Sequence, residues 1–130
     1  GEIGSVPNLE MAKENLSQPF IKDFIKVDRG DFWEFCKQKD KDFDLLYFDI
    51  DNDGDKVLEM YNGCKDNIKK GSIVLFEGGS TIRDNVPWMI DLNKTKMTDI
   101  QDKVNYKLLT PDQKYSFSII YNPEIYDLEI

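Results

Sequence analysis

Two apolar runs limit the fold more than any other feature: "FDLLYFDI" at residues 43–50 and "SIVLF" at 72–76. Each is continuous rather than alternating, the pattern of a strand with apolar neighbours on both faces of its sheet. A third run, residues 24–27, has the same character. Helical spacing fills the gaps. "NLEMAKENL" places Leu9, Ala12 and Leu16 on one side, and "DFWEFCKQ" opens with Asp31 as an N-cap and carries Glu34 three residues on. "DKVLEMYNGCKDNIKKG" carries Val57, Leu58, Tyr61, Cys64 and Ile68 on one stripe, ends in two lysines and stops at Gly71. Beyond the last run, a helix is expected over residues 81–91, interrupted near Pro87, and a second short helical stretch near 97–104. "NYKLLTPDQKYSFSIIYN" then reads as two strands around a Pro-Asp turn. Strand–helix alternation closed by a hairpin predicts one α/β domain with a mostly parallel sheet and an antiparallel edge.

The chain has 130 residues, enough for one domain with its own core, and a net charge of -8. That charge argues against nucleic acid or an anionic membrane as partner, since both would repel it. No apolar run approaches the roughly 20 residues of a membrane span, and no signal-peptide pattern is seen, so a cytoplasmic protein is expected. Cys36 and Cys64 fall singly within expected helices and are read as two reduced thiols. Histidine is absent, which removes Ser-His and Cys-His catalysis and most zinc sites.

The stretch "DIDNDGDKVLEM", residues 49–60, imitates a calcium loop: Asp49, Asp51, Asp53 and Gly54 fall at its positions 1, 3, 5 and 6. Position 12 is Met60 rather than glutamate, however, and a strand pattern rather than a helix precedes the loop. The better reading is a strand ending at Phe48 or Asp49, an acidic loop, and a helix starting near Gly54 or Asp55. Parallel α/β sheets take ligands at the carboxyl ends of their strands, so Asp49 is a functional candidate. Asp53 and Asp55 are better explained as helix N-caps.

Taken in order, "NLEMAKENL", "IKVDRGDFWEF", "FDLLYFDIDNDGD", "IKKGSIVLFEGG" and the closing hairpin resemble the later part of a class I S-adenosylmethionine-dependent methyltransferase, over nearly the whole chain from about residue 8. The resemblance implies a Rossmann-like, doubly wound sheet. It implies S-adenosylmethionine as cofactor, with Gly30, Asp31 and Phe32 beside the adenine. Asp49 would lie at the active-site rim, also near the cofactor. Such enzymes open with an acidic residue and a glycine-rich loop after their first strand, and Glu2 and Gly4 of "GEIGS" match that loop, near the methionine half of the cofactor. "GEIGS" then runs directly into "VPNLEMAKENL", so a segment of roughly 30 to 60 residues that the resemblance expects is missing between Ser5 and Val6.

Methyl transfer needs in-line approach of the acceptor and a group to receive a proton. With no histidine, Asp49 and Glu77 are the expected catalytic carboxylates, from neighbouring strands about 4.8 Å apart. Related catechol-type enzymes hold a divalent metal at these strand ends. Here "FEGGS" stands where they carry an Asp-Asn pair, so bound metal is not favoured. The glycines of "EGGS" read as a tight turn ahead of an anion cradle. Arg83, Trp88 and Met89 fall where the family often covers its acceptor, expected to be a small molecule or saccharide. The alternative is a non-catalytic Rossmann-like binding or assembly module that has lost its cofactor loop. A phosphoacceptor receiver domain fits less well, because "GEIGS" and "VLFEGG" lack its acidic pair and its late lysine.

Overall fold

The structure, a computed structural model, describes residues 6–38, 43–68 and 72–121. The chain divides into two compact units, Gly1–Phe35 and Cys36–Ile130.

In the first unit, helix α1 (Val6–Asn15) carries the expected stripe, with Leu9, Ala12 and Leu16 half-buried. Residues 24–27 form no strand, contrary to expectation. Phe24 is 87% exposed there and its N–H donates to Ile21 O at 2.9 Å, closing a turn rather than joining a ladder. Helix α2 (Phe32–Cys36) comes next. Asp31 caps it: its Oδ1 accepts the backbone N–H of Trp33 at 2.7 Å and of Glu34 at 3.3 Å.

The second unit is α/β. Strand β1 (Leu45–Phe48) leads through the acidic loop into α3 (Gly54–Cys64), a single 3₁₀ turn (Lys65–Asn67) and β2 (Ile73–Glu77). The α-helix therefore ends well before Gly71. Helices α4 (Thr81–Asp84) and α5 (Pro87–Asp91) flank the break expected at Pro87, which sits at the first position of α5, where its missing N–H costs nothing. A 3₁₀ turn (Met97–Ile100) runs into α6 (Gln101–Val104), and the hairpin β3 (Lys107–Leu108) and β4 (Phe117–Tyr121) closes the sheet.

Strand order is β1-β2-β4-β3. β1 and β2 are parallel, with Leu45 opposite Ile73 and Phe48 opposite Phe76, while β4 is antiparallel to both β2 and β3. Three strands thus share one direction, but the reversed strand sits among them. Only one adjacency is parallel, so the sheet is mixed rather than mostly parallel. The hairpin is not a simple edge addition either, since β4 lies inside the sheet.

Side chains alternate across the sheet. Phe48, Val74, Phe76, Ser118 and Ile120 are buried, as are Val57, Met60 and Cys64 of α3 and Met97, Ile100, Val104 and Tyr106 beyond β2. Phe76 meets Tyr106 edge-on, ring centroids 5.4 Å apart. The opposite face differs: Leu45 and Tyr47 are at least half exposed, and Phe117 is exposed 6.5 Å from the Tyr47 ring. Strands expected to be buried on both faces are thus buried chiefly on one, while on the other Ile73 and Leu75 are half-buried and Ile119 of β4 is buried. The buried stripe of α3 is correspondingly narrow, running through Val57, Met60 and Cys64, with Leu58 and Tyr61 half-buried beside it.

Candidate functional site

β1 ends at Phe48, so Asp49 is the first residue past the strand, and Glu77 is the last residue of parallel β2. The two meet through a third side chain. Asn52 Nδ2 donates to Asp49 Oδ1 at 2.8 Å and to Glu77 Oε2 at 2.9 Å. Asn52 is 95% withdrawn from solvent and its Oδ1, also buried, has no hydrogen-bond partner among the described residues.

The loop is held in this position by anchors at the start of α3. Asp53 caps that helix, its Oδ1 accepting from Lys56 N at 2.9 Å, and its other oxygen pairs with Lys94 Nζ at 3.0 Å. Gly54 sits against residues 95 and 96: its N–H donates to Thr95 O at 2.8 Å, and a Cβ there would lie 2.5 Å from Lys96 O. Strand, loop and helix is the expected local order, and the capping role of Asp53 is as expected. It is not a helix–loop–helix calcium loop. Among the described residues, no three acidic or cysteine side chains gather to hold a metal.

On the β2 side, "EGGS" builds a reversal. Gly78 and Gly79 both have positive φ, +114° and +103°. A Cβ on Gly79 would collide with Ser118 Oγ and lie 2.9 Å from the Tyr106 ring. The turn is tied to β4, with Gly78 N donating to Ser116 O at 2.6 Å and Ser118 Oγ to Gly78 O at 2.8 Å. Ser80 caps α4 by accepting Arg83 N at 3.0 Å. One turn of helix then brings Arg83 back over Glu77: Nε donates to Oε1 at 2.7 Å and Nη2 to Oε2 at 3.3 Å. The guanidinium carbon lies 4.8 Å from the centre of the Trp88 ring. The pair is largely buried, with Arg83 9% and Glu77 14% exposed at the side chain. Next to it, Asp84 accepts Met97 N at 2.8 Å and Thr98 N at 3.0 Å, fastening α4 to the following 3₁₀ turn.

Burial by itself would raise the Glu77 carboxyl. Hydrogen bonds from Arg83 and Asn52, with the Arg83 charge, outweigh it and hold the group below its ordinary value of 4.5. Glu77 is therefore a fixed anion with both oxygens engaged. Asp49 is exposed; one oxygen accepts from Asn52 and the other lies 3.5 Å from Tyr47 OH, the outer limit of a hydrogen bond. Burial, then the Asp49 charge, raise the Tyr47 phenol above 10.0. Of the two carboxylates, Asp49 has the free lone pairs that proton transfer requires.

Gly30 and Asp31 are exposed and Phe32 half-buried in the first unit. A Cβ on Gly30 would meet nothing within 4 Å, so the chain itself does not demand glycine there. The Asp31 carboxylate is occupied with the α2 cap, and Phe32 packs edge-on against Trp33. Glu2 and Gly4 lie outside the described residues. Met89 is core at 2% exposure, and Trp88 is half-buried on Arg83. Sequence reasoning missed Asn52 and Asp84. Asn52 carried one signal, its place two residues before a helix that starts at the end of a parallel strand.

Comparison of the chain with protein families, with curated proteins and with solved structures finds no match.

Proposed function

We propose that the carboxyl ends of β1 and β2 form the acceptor side of an S-adenosylmethionine-dependent methyl-transfer site, with Asp49 as the proton acceptor and Glu77 as an orienting anion. One observation carries the reading: Asp49 and Glu77, from adjacent parallel strands, converge on Asn52 at 2.8 and 2.9 Å. That is the end of an α/β sheet at which ligands bind. In this reading β1 and β2 are the parallel pair of a Rossmann-like, doubly wound sheet. When bound, the cofactor supplies an electrophilic methyl group.

The chain's own work is to position the acceptor and take its proton. Asn52, fixed between the two carboxylates, holds one Asp49 oxygen and leaves the other directed outward. Arg83 keeps Glu77 ionised and still, so the site keeps one negative wall whatever Asp49 does. Trp88, stacked on Arg83 and half exposed, offers an apolar surface beside the polar one. The acceptor is a small molecule or saccharide with an ionisable hydroxyl or amine.

Calorimetric titration of the full-length protein with S-adenosylmethionine, and separately with its demethylated product, tests the proposal; the 130 residues alone should bind poorly, because the segment that would hold the cofactor's ribose is missing between Ser5 and Val6. Heat of binding for either supports it, and none for both refutes it. A second reading has its own support: with both Glu77 oxygens engaged by Arg83 and Asn52, the network is equally a clamp for a binding or assembly module. Binding without turnover would favour that reading.

A further inference from the structure

We propose that Cys36 and Cys64 form a reversible dithiol–disulfide pair, closed by a small-molecule disulfide such as glutathione disulfide. These are the only two cysteines of the chain. Cys36 is the last residue of α2 and Cys64 the last of α3, with residues 37–63 between them. Both are free and buried, at 2% and 0% exposure, and Cys36 is near enough to Cys64 to help burial raise its pKa. A small residue makes the approach possible. Gly63 faces Cys36, and a Cβ there would lie 3.0 Å from Cys36 Cβ and 3.7 Å from its Sγ. Cys64 Sγ also lies 3.5 Å from Met60 Sδ, but a thioether cannot take part in disulfide exchange, so Cys36 is its partner.

The exchange balances without any other reactant. One protein thiolate attacks the oxidant's S–S bond and releases one small thiolate, which takes up a proton. The second protein thiol gives up its proton, and its sulfur displaces the remaining half of the oxidant. Two protein S–H bonds and one small-molecule S–S bond are lost, and one protein S–S bond and two small-molecule S–H bonds are gained. Burial governs both outcome and rate. It leaves no room for a bound half of the oxidant, which favours the intramolecular bond over a mixed adduct. It also lifts Cys64 to about 12 and Cys36 above 9.0, so thiolate is scarce and exchange waits on local opening. The closed loop would contain β1 and the acidic turn, so the bond would tie down the chain on either side of Asp49.

The test is intact-mass spectrometry with thiol titration in denaturant, before and after incubation of the folded chain with excess glutathione disulfide. The expected product is a monomer lighter by two hydrogen atoms, with no titratable thiol, returned to two thiols by dithiothreitol. Cys64→Ala should not lose those hydrogens. The wild-type measurement decides the matter even if that variant folds poorly. A chain still carrying both thiols, a stable mixed adduct, or a disulfide-linked dimer would each overturn the proposal.

Discussion

At the end of β1 the Asp49 carboxylate is exposed, holds one amide and leaves its second oxygen close only to a phenol at 3.5 Å. At the end of neighbouring β2 the Glu77 carboxylate is largely buried, accepts three hydrogen bonds and faces a guanidinium. The difference comes from the two loops. After β1, four residues, Asp49 to Asn52, carry the chain outward before Asp53 starts a helix. After β2, two left-handed glycines fold it back at once, and Ser80 starts a helix whose first turn returns Arg83 to the strand end. A tight reversal produces a locked carboxylate and an open one produces an exposed carboxylate. Two acids side by side acquire separate roles in this way.

The largest expected effect is on the locked side. Glu77→Gln leaves Arg83 buried without its counter-charge, and breaking a buried pair from one side costs about 3 kcal/mol. Urea denaturation should show that loss. A loss below about 1 kcal/mol would mean water screens the pair, and Glu77 and Asp49 would then be alike.

On the open side the expected effect is nearly as large but falls on activity. Asp49→Asn keeps the shape and can still accept from Asn52, yet it removes the charge. Methyl transfer should fall about 10²-fold, the scale of a lost acid–base group. Stability should change by less than about 0.5 kcal/mol, as for other exposed substitutions. Full activity in Asp49→Asn would remove Asp49 from the proton-transfer role.

Much of this contrast was legible in the residues. The continuous run at residues 43–50 placed a strand end at Phe48 or Asp49, and Pro87 marked the break between α4 and α5. Asp31 and Asp53 declared themselves as caps, because a short carboxylate ahead of an apolar helix has few other uses. What failed needed partners distant in sequence. Residues 24–27 have strand composition but no ladder to join. The place of β4 inside the sheet is a choice of neighbour that no local pattern records. Asn52 reads as an ordinary turn residue until β2 delivers Glu77 beside it. Glu77 and Arg83 are six apart, a spacing meaningless on one helix that becomes a bidentate pair only through the Gly78-Gly79 reversal.

A smaller effect on the locked side depends on pH. The Glu77 pKa is lower in the folded chain than its ordinary 4.5, so the group contributes stability that is fully present above 4.5 and is lost as pH falls through the folded value. The stability gap between wild type and Glu77→Gln should therefore be constant near neutrality and shrink progressively below 4.5. A gap for Glu77→Gln that stays constant down to strongly acid pH would show that packing, not charge, holds the pair.

The smallest expected effect concerns Asp53, four residues past Asp49 in the same acidic loop. Its carboxylate caps α3 through Lys56 N and meets Lys94 at 3.0 Å. Asparagine caps a helix about as well as aspartate, so Asp53→Asn keeps the Lys56 bond. What it gives up is the charge facing Lys94 and the α3 dipole, in a residue only 2% exposed. The loss should be about 1 kcal/mol in stability, with methyl transfer little changed because Asp53 faces Lys94 rather than the Asn52 bridge. Asp53→Ala, which removes the cap as well, should cost more, up to about 2 kcal/mol. The contrast with Asp49 is then one of proposed role: one aspartate starts a helix, and its neighbour is the proposed proton acceptor. If the loop instead bound calcium, Asp49→Asn and Asp53→Asn would abolish the binding equally and chelator would unfold the chain. Calcium titration of the three proteins distinguishes the cases, and equal loss in both variants would overturn the division of labour between the two residues.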